Sequence, residues 1–114
     1  AYDQMRIYRD TLLQSNGLMA HIYDFDKMSF ADGNVWVPGN GWATAGMLRV
    51  LLSIIQSSHA DAMEQQRKDL SNWTRDVLTA AYKVVDRETG LWHNYMNETS
   101  TFLDASGSML LACE

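Results

Sequence analysis

Between Trp42 and Gln56 the chain offers almost no polar face. Ala43, Ala45 and Gly46 lead into Met47, Leu48, Val50, Leu51, Leu52, Ile54 and Ile55. Apolar residues at nearly every angle of a 3.6-residue period predict a helix buried nearly all round. An inner helix of that kind must be surrounded by others, as in a bundle, a solenoid or a closed ring of helices. It is not a membrane span: the longest apolar run, Val50 to Ile55 with Ser53 inside it, is far too short to cross a bilayer.

The flanking segments supply candidate neighbours. Tyr2 to Leu13 carries Met5, Tyr8 and Leu12 on one helical stripe and ends before Ser15-Asn16-Gly17, a stop and turn cluster. From Asp61 to Asp86, Met63, Leu70, Trp73, Val77, Ala81 and Val84 recur at helical spacing against Gln, Arg, Lys and Asp, which predicts a half-exposed helix. From Ala105 small residues again open an apolar stretch, Met109-Leu110-Leu111, of the interior type. Trp73 and the methionines Met5, Met47, Met63 and Met109 are expected in the core.

Gly17-Leu18-Met19-Ala20-His21-Ile22-Tyr23 is echoed by Gly90-Leu91-Trp92-His93-Asn94-Tyr95, with the glycines 73 positions apart. Each copy follows one order: a mixed-face helix, a Gly-Leu turn, a His-x-Tyr segment, a polar loop and a helix of buried type. The expected fold is therefore all-α, made of two helical hairpins, 1–57 and 60–114. Two such units look incomplete, and six in a ring imply a parent domain of about 400 residues when the period is multiplied out.

Charge and cysteine usage narrow the function. The net charge is −5, and the Lys and Arg residues are scattered, so nucleic acid and anionic membrane are not expected partners. The opening AYDQMRIYRD lacks the basic-then-apolar pattern of a secretion signal, and the compartment is left open. Cys113, the lone cysteine, follows Leu110, Leu111 and Ala112 and reads as a buried thiol. His21, His59 and His93 stand too far apart, with no local carboxylate or thiol pattern, to suggest a metal, and no cofactor is called for.

The turns hold the chemistry. In VWVPGNGWATAG, Trp36 and Trp42 flank Pro38 and Gly39-Asn40-Gly41; with His21 and Tyr23, and with Trp92, His93 and Tyr95 of the second unit, they are expected to gather at one end of the helices. A sugar ring presents apolar C–H faces and an equator of hydroxyls, which suits flat indoles beside Asn, Asp and His. Gly39 and Gly41 would let backbone approach a ligand, and free N–H groups at the helix start near Trp42 would favour an anionic one. Asp24 and Asp26 are expected to be solvated or turn-capping.

WVPGNGWATAGMLRVL resembles the W-x-R-G-N-G-W-x-x-x-G motif of glycoside hydrolase family 105, the unsaturated rhamnogalacturonyl hydrolases, and of the related family 88. GLMAHIYDFD is similar to their G-L-x-x-H-x-x-D segment, and ETGLWHNYMNETSTFLDASGSMLLA to their T-G-L-W-H-Q segment with its following E-x-S-G-S-A-M. The resemblance spans nearly the whole chain in family order. It implies a six-hairpin (α/α)6 barrel of which this chain is a part, about the second half. It also implies hydrolysis of oligosaccharides ending in a Δ4,5-unsaturated uronic acid, by protonation and hydration of the double bond. Carried over by position, His21, Trp36 and Trp42 match the family's substrate-binding residues; Asn40 and His93 join them as candidates from their residue type and place at the turns. The resemblance puts the family's proton-donating aspartate upstream of Ala1, so the isolated chain is expected to be inactive. Pro38 stands where the motif has arginine, and proline has neither the charge nor the N–H to bind a carboxylate. Two other readings fit the same residues. One is a non-catalytic carbohydrate-binding or scaffolding remnant of that fold; the other is an interaction module with a groove along its helix faces.

Overall fold

The computed structural model describes residues 1–113. Among them are four helices, α1 (Tyr2–Leu12), α2 (Val37–Ile55), α3 (Glu64–Lys83) and α4 (Ala105–Ala112). The all-α expectation needs a correction, because each turn between consecutive helices of a unit carries a short antiparallel ribbon. In the first, β1 (Ile22–Asp24) pairs with β2 (Ser29–Asp32); in the second, β3 (Trp92–His93) pairs with β4 (Leu103–Asp104). Aromatic and β-branched residues such as Ile22, Tyr23 and Phe30 favour extended backbone there. Asp24 closes the first ribbon's turn by accepting from the N–H groups of Asp26 and Lys27, at 3.0 and 3.1 Å.

The two halves repeat one order of helix, glycine turn, ribbon and helix. Gly17 (φ +85°) and Gly90 (φ +73°) both take the left-handed conformation in the turn that leads from the outer helix to the ribbon, where a side chain would be strained. At Gly17 the requirement is double, since a Cβ would also come within 3.0 Å of Ala80 on α3.

Helix α2 begins at Val37, five residues before the expected start. Pro38 is compatible with that position, because its fixed φ suits a helix and the first turn has no use for its missing N–H. The helix packs against α3 and α4, while α1 lies alongside with Met5 facing Gly46. Val35, Val37, Met47, Leu70, Val77, Trp92 and Leu111 form the centre of the core. Two covering helices cannot enclose the whole circumference of α2. Met47 and Ile54 are buried, but Trp42, Leu52 and Ile55 are exposed, so within this chain the helix is not surrounded. The same limit applies to α4: Gly107, Ser108 and Leu111 are buried, whereas Met109 and Cys113, both expected inside, are exposed. Trp73 takes a partly buried place between α1 and α3. There Tyr2 stacks on it at 5.5 Å and Arg9 lies over its ring at 5.1 Å. The chain forms a slab of 47 × 37 × 20 Å, about two helix diameters thick. No helix among the described residues is long and apolar enough to cross a membrane.

The contact between α2 and α4 is unusually close, and glycine makes it possible. A Cβ on Gly107 would lie 2.6 Å from the nitrogen of Pro38 and 2.7 Å from the carbonyl carbon of Val37; one on Gly41 would lie 2.7 Å from Cβ of Leu110. Backbone atoms on the other side cannot swing away as a flexible side chain would. Gly107→Ala is therefore expected to destabilise the protein by about 2–3 kcal/mol, the usual scale of an overpacked core, read as a lower denaturant midpoint with an unaltered slope.

Candidate functional site

The loops of the two units are stitched to one another. Trp36 and Tyr95 form an antiparallel bridge, flanked by Val37 N–H donating to the Asn94 carbonyl at 3.0 Å and Met96 N–H donating to the Val35 carbonyl at 2.9 Å. Extended backbone sends alternate side chains to opposite sides. Val35 and Val37 enter the core, and Trp36 between them turns outward, its indole N–H donating to Asn94 Oδ1 at 3.1 Å.

His21 sits just before β1, its N–H donating to the Asn34 carbonyl at 2.9 Å. Its ring lies 4.5 Å from the Trp36 ring, tilted by 40°, and its Nδ1 is 2.9 Å from Asp32 Oδ2. The Tyr95 hydroxyl donates to the same oxygen at 3.0 Å. Asp32 Oδ1 accepts from the backbone N–H and the side-chain amide of Asn34, both at 2.9 Å. The bond with His21, then those from Asn34 and Tyr95, outweigh partial burial and draw the Asp32 carboxyl down to about 2. The same carboxylate pushes the Tyr95 hydroxyl up.

Two cavities adjoin this group. One, of about 260 Å³, is walled by Met5, Tyr8, His21, Gly39, Trp42 and Met47 among others and is mostly apolar. The other, of about 280 Å³, is bounded by Tyr8, His21, Ile22, Tyr23 and Phe25. His21 belongs to both.

The residues expected at the rim divide into two groups. His21, Trp36 and Trp42 lie at one end of α2, and Trp42 is 57% exposed there. Asn40 is 1% exposed, and its amide is engaged throughout: Oδ1 accepts from Met19 N–H at 2.8 Å, and Nδ2 donates to the carbonyls of Met19 and Trp36 at 2.9 and 3.0 Å. It braces the rim from behind. His93 faces the Thr101 carbonyl within its own ribbon, and Trp92 is a core residue whose indole donates to the Ala81 carbonyl at 2.7 Å. Gly41 serves helix packing, while Gly39 lies against the Trp36 ring and forms part of the first cavity. The expected anion cradle at the start of α2 is reduced, because the Val37 N–H is bonded to Asn94 and Pro38 has none. Asp32, Asn34 and Asn94 were not among the expected residues, yet they hold His21 and Trp36 in place.

Asn40→Ala leaves the buried N–H and carbonyl of Met19 without side-chain partners. The expected loss of stability is on the order of 3 kcal/mol by equilibrium denaturation. For Asp32 the folded carboxyl lies below its ordinary value of 3.8, so its contribution is present above that pH and is lost as the pH falls towards about 2. Asp32→Asn is expected to flatten the fall in stability across that interval relative to the unaltered protein, measured by urea unfolding at a series of pH values.

The sequence model of Glycosyl Hydrolase Family 88 matches residues 1–113. An unsaturated rhamnogalacturonyl hydrolase, YesR of Bacillus subtilis (strain 168), is 30% identical over 95 residues, which are 83% of this chain and 26% of that protein. A possible member of the GH105 family from Salmonella enterica serovar Paratyphi A superposes with a TM-score of 0.85 at 22% identity, over 97% of this chain and 28% of that one. A family 105 glycoside hydrolase of C. acetobutylicum superposes with a TM-score of 0.78 at 21% identity, over 96% and 32%. The two superpositions concern the fold. The chain spans about a quarter of the length of the curated relative it matches. Matched along the described residues from end to end, the chain belongs to Glycosyl Hydrolase Family 88.

Proposed function

We propose that this chain forms the sugar-binding end of a glycoside hydrolase acting on oligosaccharides whose non-reducing end is a Δ4,5-unsaturated uronic acid. The observation that carries the reading is the placement of His21 between Trp36 and a mostly apolar cavity walled by Trp42. An indole face offers apolar area to the C–H side of a pyranose, and an adjacent imidazole offers hydrogen bonding to its hydroxyls. The similarity to an unsaturated rhamnogalacturonyl hydrolase favours this substrate class.

In this reading the reaction is protonation of the enol-ether double bond and addition of water, after which the hemiketal opens and releases the sugar. It needs a carboxyl group able to give and take a proton. Asp32 is ill suited to that task, since four hydrogen bonds hold it as an anion. As the family resemblance implies, the proton donor in this reading belongs to another segment of a six-hairpin (α/α)6 barrel. The chain's share of its relatives, between a quarter and a third, is less than the half expected from the resemblance and close to two hairpins of six. The remaining hairpins would cover Leu52, Ile55 and Met109, which are exposed here. Pro38 replaces the arginine of the family motif, so the sugar carboxylate must be met by a group other than this position.

The test is incubation of the full-length protein with unsaturated rhamnogalacturonan disaccharide, following the ultraviolet absorbance of the conjugated double bond. Falling absorbance is expected, and a constant signal with active-site-competent protein overturns the reaction. Trp42→Ala should weaken saccharide binding about tenfold, equivalent to ~1.4 kcal/mol, with helix content intact; unaltered affinity removes Trp42 from the site.

A further inference from the structure

Asp32 has a carboxylate with no open acceptor role: His21 Nδ1 and the Tyr95 hydroxyl meet Oδ2, and Asn34 occupies Oδ1 twice. The two donors on Oδ2 come from different units, so the carboxylate fixes the imidazole of the first against the tyrosine of the second. Among the described residues no hydrogen bond takes up His21 Nε2, and the ring borders both cavities. A neutral imidazole carries one proton, so the nitrogen that donates determines that the other accepts.

We propose that Asp32 is a positioning residue: it holds the neutral His21 imidazole with its proton on Nδ1, leaving Nε2 as the acceptor presented to a sugar hydroxyl. Trp36, packed against the ring at 4.5 Å, opposes its rotation, and Tyr95 keeps the carboxylate from following the ring if it turns. An acceptor at this point discriminates among ligands. A hydroxyl in reach donates to it, whereas a carboxylate oxygen there would find no proton. Within the saccharide reading, on which the ligand's identity rests, His21 thus meets the hydroxyl side of the sugar and not its charged group. The tautomer itself rests on geometry alone.

The measurement is a long-range proton–nitrogen correlation spectrum of the full-length protein labelled with ¹⁵N-histidine, recorded at a pH well above the ordinary imidazole range, with the His21 signals assigned by their loss in His21→Gln. The Nδ1–H form should exceed the Nε2–H form by roughly tenfold or more, the ratio a charge-assisted hydrogen bond supports. Asp32→Ala should lower that ratio by about the same factor, and Asp32→Asn, whose shape is preserved, by a smaller one should the alanine variant fail to fold. A dominant Nε2–H form, a doubly protonated ring at that pH, or a ratio unmoved in the variant that folds overturns the proposal. Titration with the unsaturated disaccharide separates the two readings. Failure of the unaltered protein to bind it refutes the saccharide assignment and leaves the tautomer result standing. Binding that is unchanged in the Asp32 variants overturns the positioning role.

Discussion

The backbone contact between residues 35–37 and 94–96 is the joint on which the rest depends. Each unit alone has a helix, a ribbon and a second helix, but neither has a complete site. The antiparallel bridge at Trp36 and Tyr95 brings Asn94 to the indole N–H and the Tyr95 hydroxyl to Asp32. It also draws Val35 and Val37 into a core that contains Trp92 and Met96 of the second unit. A few backbone hydrogen bonds thus fix the register in which the side chains of two repeats meet.

Behind that joint, two glycines and one asparagine fix how far the helices stand apart. Gly41 and Gly107 let α4 approach α2 until backbone meets side chain, and Asn40 ties the start of α2 to Met19 in the preceding turn. The Gly-Asn-Gly tripeptide therefore faces two ways. Gly41 and Asn40 look inward to structure, and Gly39 looks towards the Trp36 ring and the cavity. Aromatic residues at a turn are stable there because the inner surface of the same turn is built of small and fully hydrogen-bonded groups.

Much of the helical order was legible in the residue pattern, since α1 and α3 follow stripes of apolar residues at steps of three and four and α2 is apolar at nearly every angle. The ribbons were not, because two to four residues of extended backbone leave too short a pattern to distinguish from loop. His21, Trp36 and Trp42 could be singled out by residue type and by their place beside a turn. Asn40 could not be assigned its role that way, because an asparagine that binds a ligand and one that braces backbone have the same letter. Asp32 was missed for a related reason: its partners lie eleven and 63 positions away and meet only through a ribbon and an inter-unit bridge. One signal was present, however. His93 is also followed by an aspartate eleven residues on, Asp104, so the pair recurs in the second unit.

That recurrence has a consequence. In the second copy Asp104 caps α4 by accepting from Gly107 N–H at 2.8 Å, and His93 turns to a carbonyl of its own ribbon. One blueprint is thus put to two uses: in the first unit the acid disciplines an imidazole, and in the second it begins a helix. A repeated scaffold need not repeat what its side chains do, because a shift of a few residues between strand end and helix start is enough to reassign the same pair.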